Sequence, residues 1–353
     1  MRKITKTVTV GGVQVGGGHR ITVQSMLNAS HMDYDALKAQ TMALQTAGAD
    51  IIRMAVPDEE AVCALHKLKS KSELRMPIVA DIHYDYRLAV ESVAAGADAI
   101  RINPGNIGGE DKVKAVVNAC IAEKVPIRIG VNGGSLEKHL LAKYGHPCAE
   151  ALAKSALYHA SLLERLDFDQ IVLSVKSSDV SEMIAANRIL SEQCDYPLHI
   201  GVTEAGTIRM GTLKSAIGIG ALLADGIGDT IRVSLTADPV KEIEAGFDIL
   251  KAAGIRKSGA EIISCPTCGR SKVDVISLAE QVERRFAGLG ESIKIAVMGC
   301  SVNGPGEARE ADVGVACGVG EGLIFARGEI LRKVPEAQIL DALAEEVEQI
   351  IGN

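Results

Sequence analysis

Aromatic side chains are scarce in this chain: they make up 3% of the 353 residues, and Trp is absent. Stacking onto nucleobases or sugars is therefore poorly provided for. Positive charge is not in excess either. Lys and Arg number 38 against 45 Asp and Glu, a net charge of −7, whereas a general nucleic-acid binder is normally basic. No stretch approaches the roughly 18 apolar residues of a membrane-spanning helix. The opening Met1-Arg-Lys-Ile-Thr-Lys6 lacks the apolar core of a secretory signal. These absences predict a cytoplasmic protein with neither a nucleic-acid nor a membrane partner. In a reducing compartment its eight cysteines should be thiols or ligands, not disulfides.

What is present suits a globular protein of one large domain and one smaller one: 47% of residues are hydrophobic and 24% charged. Short apolar runs alternate with longer helical patterns. Strands are predicted over 21–26, 51–56, 77–82, 99–103, 126–131, 170–176, 198–203 and 230–235. Helices are predicted over 33–47, 58–71, 86–95, 148–166, 181–192, 207–223 and 239–253. Eight strands separated by helices is the count of an α/β (β/α)8 TIM barrel.

An internal echo supports the repeat. Ala47-Gly-Ala-Asp-Ile-Ile-Arg53 matches Ala95-Gly-Ala-Asp-Ala-Ile-Arg101, and Gly226-Ile-Gly-Asp-Thr-Ile-Arg232 is a looser copy. In each, glycine ends a helix, aspartate lies in the connection, and a strand opens. Val/Thr alternation around Gly11-Gly12 predicts a hairpin plugging the barrel's N-terminal end. Residues 1–254 are assigned to the barrel and 255–353 to a small α+β domain, with strands near 261–264, 294–298, 312–316 and 323–326 and helices over 273–287 and 335–350.

Function on such a barrel sits at the C-terminal ends of the strands, and here those ends carry charge. Arg53, Arg101, Arg128, Lys176 and Arg232 come from five strands, with Asn103, Asn132, Ser174 and Ser234 at same-parity spacing beside them. One reading makes the cations salt-bridge partners of loop acids, because five unpaired buried charges are too costly. The other makes them a cup for a multiply charged anion. Arginine suits bidentate phosphate contact, and a diphosphate matches five cations better than a single phosphate. Glu204, in a Thr-Glu-Ala-Gly206 turn, could exchange a proton with a substrate hydroxyl or anchor a neighbouring Arg. His83 and His199 read as orienting or packing residues. No phosphate-loop or dinucleotide fingerprint occurs.

The second domain carries Cys265-Pro-Thr-Cys268 and then Gly299-Cys300-Ser-Val-Asn303-Gly-Pro-Gly-Glu307. Thiolates at i and i+3 can reach one metal centre, and a Gly/Pro turn can fold a later carboxylate back towards it. Three thiolates and a candidate oxygen ligand suit a [4Fe-4S] cluster with one replaceable ligand; structural zinc and metal-free thiols are the alternatives. Cys63, Cys120, Cys148 and Cys194 read as packing residues, and Cys317 as a buried strand residue.

These stretches, together with Gln24-Ser-Met26, Asp81-Ile-His83, Arg101-Ile-Asn103-Pro-Gly-Asn106, Arg128-Ile-Gly-Val-Asn132, Leu198-His-Ile-Gly-Val-Thr-Glu-Ala-Gly206 and Cys265-Pro-Thr-Cys268-Gly-Arg270, resemble the 4-hydroxy-3-methylbut-2-enyl diphosphate synthase family in its two-domain bacterial form. The resemblance spans essentially the whole chain. It implies reductive ring opening and dehydration of 2-C-methyl-D-erythritol 2,4-cyclodiphosphate with two electrons from ferredoxin or flavodoxin. It further implies a [4Fe-4S] cluster on Cys265, Cys268, Cys300 and Glu307, with Glu307 replaceable. The diphosphate would be held by Arg53, Arg101, Asn103, Arg128, Asn132, Lys176, Arg232, Ser234 and Asn303. Glu204 would move a proton, and the assembly would be a homodimer. One departure stands out: Leu27-Asn-Ala-Ser30 occupies the place where the family usually has Thr-Asn-Thr.

Overall fold

A computed structural model describes residues 2–70, 74–257, 259–300 and 310–352. The chain divides into two compact units, Met1–Ala253 and Gly254–Asn353.

The first unit opens with an antiparallel hairpin, β1 (Thr7–Val10) and β2 (Val13–Gly16). Val10 and Val15 pack on Ile51, Val79 and Ala99, at the N-terminal ends of barrel strands. The hairpin therefore closes that end, as the alternation predicts. The barrel strands are β3 (Thr22–Met26), β4 (Ile51–Ala55), β5 (Ile78–Asp81), β6 (Ala99–Ile102), β7 (Ile127–Asn132), β8 (Ile171–Lys176), β9 (His199–Ile200) and β10 (Thr230–Ile231). All are parallel to their neighbours, in the order β8-β7-β6-β5-β4-β3-β10-β9. A bridge between Leu173 and Leu198 joins the two ends.

The intervening helices are α1 (Tyr34–Thr46), α2 (Glu59–Lys69), α3 (Tyr86–Ala94), the single turn α4 (Pro104–Ile107), α5 (Glu110–Glu123), α6 (Lys138–Tyr144), α7 (Ala149–Glu164), α8 (Val180–Gln193), α9 (Ile208–Ala224) and α10 (Pro239–Ala252). Five of them begin on an aspartate, Asp33, Asp58, Asp85, Asp179 and Asp238, whose carboxylate accepts a first-turn backbone N–H. None of the described helices is long and apolar enough to cross a membrane.

The echoed aspartates have a shared role. Asp50 accepts the N–H of Val23 (2.8 Å), Asp98 that of Ile78 (2.7 Å) and Asp229 that of Leu198 (2.9 Å). Each therefore fixes the start of the neighbouring strand. Asp50 and Asp98 also pair with Arg20 and Lys69, and Asp229 with Arg2, all at 2.6 Å. The repeat is thus a register device at the closed end of the barrel.

The last two barrel strands are shorter than the predicted 198–203 and 230–235. Ladder pairing ends at Ile200 and Ile231, and the loop after β9 turns through left-handed Glu204 (φ +51°) and Gly206 (φ +107°). Arg232 and Ser234 consequently stand beyond β10 rather than in it.

The second unit is a five-stranded sheet in sequential order: β11 (Ala260–Ser264), β12 (Ile293–Met298), β13 (Val313–Gly318), β14 (Glu321–Ala326) and β15 (Glu329–Pro335). The first three are parallel, the rest antiparallel. Helices α11 (Val275–Phe286) and α12 (Ile339–Ile351) bury Val275, Val282, Phe286, Leu343 and Val347 with Ile295, Val297, Val315 and Cys317 of the sheet. Asp312 repeats the barrel's device by accepting the N–H of Lys294 (2.7 Å). Strand β15 corrects the predicted helix start at 335. Its residues are almost all exposed on a charged sheet edge, where no burial pattern marks a strand.

Candidate active site

The five predicted cations converge at the C-terminal mouth of the barrel. Arg53 lies on β4, Arg101 on β6, Arg128 on β7 and Lys176 at the end of β8, while Arg232 follows β10. Their electrostatics show that they face one another. Burial, partly offset by Asp81, brings the Arg53 guanidinium down to about 10, and Arg232 and Arg101 push it in the same direction. Burial, with Arg53, Arg101 and Arg232, holds Arg128 well below the ordinary arginine range. Burial, then Arg232, Arg53 and Arg128, does the same to Lys176.

Two buried carboxylates organise this ring. Asp81, at the end of β5 and 2% exposed, lies 3.1 Å from Arg101 and 3.5 Å from Arg53. Burial opposes its charge, but Arg53 and Arg101 outweigh burial and keep the carboxyl below its ordinary value. Glu242, in the first turn of α10, sits 3.3 Å from Arg232 and accepts Ser25 Oγ (2.7 Å) and the Leu235 N–H (3.0 Å). The salt-bridge reading therefore holds in part: two acids anchor three arginines, though Asp81 ends a strand and Glu242 lies in a helix. Five cations against two carboxylates still leave three formal positive charges. Among the described residues no carboxylate lies within ion-pair distance of Arg128 or Lys176.

Arg128 is held another way. Gln24 on β3 accepts its Nη1 at 2.6 Å across the barrel interior, while Nη2 is buried without a partner among the described residues. Arg101 Nη2 donates to the Gly130 carbonyl at 3.2 Å. A side chain at Gly130 would fall on that guanidinium, so glycine lets Arg101 approach this close. Arg53 also donates to Met26 Sδ at 2.9 Å.

The polar rim is mixed in character. Asn103 is 2% exposed, caps α4 by accepting the Gly105 N–H (3.0 Å), and leaves its Nδ2 buried and unpartnered among the described residues. Asn132 stands opposite Lys176 in the ladder. Ser234 is half-buried, and Ser174 is buried beneath Lys176. Glu204 is exposed, its left-handed backbone holding it on the loop after β9. His199 is fully buried and kept neutral, by burial first and then by Arg128 and Lys176; its Nδ1 lies 3.3 Å from Thr230 Oγ1. His83 is exposed, 3.8 Å from Asp81. The divergent Leu27–Ser30 loop is tied to Gln40, whose Oε1 accepts the N–H groups of Asn28 and Ala29.

In the second unit, Cys265 follows β11, and its Sγ accepts the Gly299 N–H at 3.2 Å. Lys272 N–H donates to the Gly299 carbonyl at 3.0 Å. These contacts bring the Cys265–Cys268 turn against Gly299-Cys300. Cys268 is exposed, and the backbone N–H and side chain of Arg270 hold its thiol below the ordinary range. Such a donor set, with N–H groups directed at sulfur, fits a thiolate-held cluster. Among the described residues no three side chains form a closed metal-ligand set. Asn303 and Glu307 lie outside the described residues. Cys317 is buried and pushed up to about 11, and Cys120 to about 12, by burial. Cys63, read as a packing residue, is exposed on α2.

Glu242 escaped sequence reasoning because a first-turn glutamate after Asp238-Pro239 looks like any acid favoured at a helix N-terminus. Gln24 belonged to a noticed motif, but nothing in the sequence shows that it reaches Arg128 across the barrel.

Comparison with known proteins agrees with this anatomy. Residues 5–247 match the GcpE TIM-barrel domain and residues 261–349 the GcpE protein C-terminal domain. Relatives from Geobacter sulfurreducens and Clostridium perfringens are each 56% identical. The first covers 100% of this chain and 99% of its own length, the second 99% of each. Both are named 4-hydroxy-3-methylbut-2-en-1-yl diphosphate synthase (flavodoxin). Among solved structures, type I 3-dehydroquinate dehydratase from Clostridium difficile (TM-score 0.52, 16% identity) covers 71% of this chain and 100% of its own. Dihydropteroate synthase from Stenotrophomonas maltophilia (TM-score 0.51, 16% identity) covers 70% and 97%. These two share the barrel fold alone. With both domain profiles matched and relatives more than half identical over its full length, the chain belongs to the GcpE family.

Proposed function

We propose that the chain catalyses the reductive ring opening and dehydration of 2-C-methyl-D-erythritol 2,4-cyclodiphosphate to 4-hydroxy-3-methylbut-2-enyl diphosphate. Two electrons and two protons enter, and one water leaves. The observation that carries this reading is the arginine–lysine cup, whose charge exceeds that of its two carboxylates. Asp81 orients Arg53 and Arg101, Glu242 orients Arg232, and Gln24 orients Arg128. The guanidinium groups are thus set before substrate arrives, and little ordering entropy is lost on binding. Lys176 is pushed below its ordinary range by burial and by its cationic neighbours. A diphosphate brought against it would favour its charged form. Asn103, Asn132 and Ser234 would donate further hydrogen bonds, together with Asn303.

Cys265, Cys268, Cys300 and Glu307 would hold a [4Fe-4S] cluster, which supplies one-electron transfer and a Lewis-acidic iron when bound. Glu204 would hand a proton to the departing oxygen. Its strained backbone, of order 1–3 kcal/mol, keeps the carboxylate presented on the loop after β9. Flavodoxin is the electron donor in this reading, with ferredoxin as the other carrier class. The enzyme would work in the cytoplasm as a homodimer.

Anaerobic purification tests the reading. Broad absorption near 400 nm and about four irons per chain are expected, with turnover of the cyclodiphosphate by a chemical reductant. Stoichiometric zinc without iron, or cluster-replete protein that forms no product, would overturn it.

A further inference from the structure

Asn103 and Asn132, two of the rim donors, sit on loops that meet on a pair of residues outside the cup. Asn132 ends β7, and five residues later Glu137 precedes α6. The Glu137 carboxylate contacts His159 Nε2 and accepts Ser155 Oγ at 3.0 Å, both from α7. His159 is 1% exposed. Gly105 lies directly over its ring: a Cβ there would be 3.3 Å from Cε1 and 3.4 Å from Nε2. The Gly105 N–H in turn holds the Asn103 carboxamide. One buried imidazole therefore supports both loops, the first by contact with Gly105 and the second through Glu137.

Gly105, Gly108 and Gly109 border an open recess of about 590 Å³ whose far wall is Tyr158, Leu162 and Arg165. Pro104 and Ile107 are buried, Ile107 in the barrel core, while the glycine face of the loop borders the recess and approaches α7 at the His159 ring. Asn103 Nδ2 is buried without a partner among the described residues, and its aim depends on the Gly105 N–H that fixes the opposite end of the carboxamide.

We propose that Glu137 and His159 are a positioning pair that sets the reach of Asn103 and Asn132 into the anion cup. The proposal rests on the reading that both asparagines contact the substrate. Neither Glu137 nor His159 touches substrate, so loosening them should weaken binding and leave the chemical step alone.

The test uses the anaerobically purified full chain with its metal intact. KM and kcat are measured with the cyclodiphosphate and a chemical reductant, and Kd for the cyclodiphosphate by calorimetry without reductant. His159→Leu should raise KM and Kd about tenfold, roughly the weight of one charge-assisted hydrogen bond, with kcat changed less than about twofold. His159→Gln, which keeps a donor near Nε2, should recover most of the loss. Asn103→Ala and Asn132→Ala should show the same pattern, and neither should add its full effect to His159→Leu. Glu137→Gln replaces His159→Leu should the latter lose iron or melt early. Unchanged KM and Kd in His159→Leu beside raised values in the asparagine variants would overturn the positioning role alone. Asparagine variants that bind normally would instead overturn the substrate-contact reading, and the inference with it.

Discussion

Asp81→Asn is the sharpest test of how the cup is built. Asp81 is 2% exposed and faces Arg101 at 3.1 Å and Arg53 at 3.5 Å. The substitution keeps the shape and one acceptor oxygen but removes the charge. Arg53 and Arg101 then face each other with no negative charge between them. Removing one partner of a buried ion pair costs about 3–5 kcal/mol, and the retained acceptor places this change near the lower end, about 3. For a unit of this size, 1 kcal/mol shifts Tm by roughly 2–4 °C, so a fall of roughly 6–12 °C is expected near neutral pH. The pH dependence gives a second reading. Asp81 is held below its ordinary value in the folded state. Its contribution is therefore fully present above the unfolded carboxyl pKa, about 3.9, and is lost as pH falls through the lower folded value. The difference between wild type and Asp81→Asn should thus be flat through neutral pH and shrink only in acid. Thermal unfolding followed by circular dichroism across this range measures both. A Tm within 2 °C of wild type at neutral pH would refute the argument that Asp81 organises the ring.

Other consequences are sharply signed. Lys176→Met removes a half-buried cation that has no carboxylate at ion-pair distance among the described residues, so free-protein Tm should rise while the Tm increment given by saturating pyrophosphate shrinks; an unchanged increment would take Lys176 out of the cup. Because the folded Lys176 titrates below the ordinary lysine range, pyrophosphate affinity should fall as pH rises through that depressed value, well before free lysine deprotonates. Calorimetry against pH reads this, and a flat profile up to the ordinary range would contradict it. Gly130→Ala should displace Arg101 and raise KM at least tenfold with the fold intact by circular dichroism; normal KM would show that the guanidinium has room to move. Glu307→Ala should retain most of its iron yet lose most turnover, and full activity would remove Glu307 from the mechanism.

Much of this protein is legible in its sequence because the governing interactions are local. Alternating apolar runs and aspartate-led helices announce the β/α repeat, and the Ala-Gly-Ala-Asp echo marks where each strand begins. Same-parity spacing such as Arg101 with Asn103, or Ser174 with Lys176, aims each pair to one face of its strand, and their late position in the strand puts them at the C-terminal end. The spacing of Cys265, Cys268 and Cys300 likewise sets out a ligand pattern. Where the local signal fades, sequence reasoning loses the boundaries: the seventh and eighth barrel strands end at Ile200 and Ile231, short of the predicted runs, and the exposed β15 carries no burial pattern to betray it.

Only the tertiary structure decided how the charges are balanced. That Asp81 serves two arginines, that Glu242 reaches Arg232 and Ser25 from a helix, and that Gln24 crosses the barrel to Arg128 are facts about residues 10 to 217 positions apart. Barrel closure sets such pairings, because it fixes which strand ends face one another. It also separates residues of one type by environment, leaving His199 buried and neutral while His83 stands exposed at the rim. The sequence by itself determined the barrel, the ring of cations and the cysteine pattern. The fold decided which of those cations face a carboxylate and which, among the described residues, do not, because compensation depends on distance and burial, and neither is written in the order of residues.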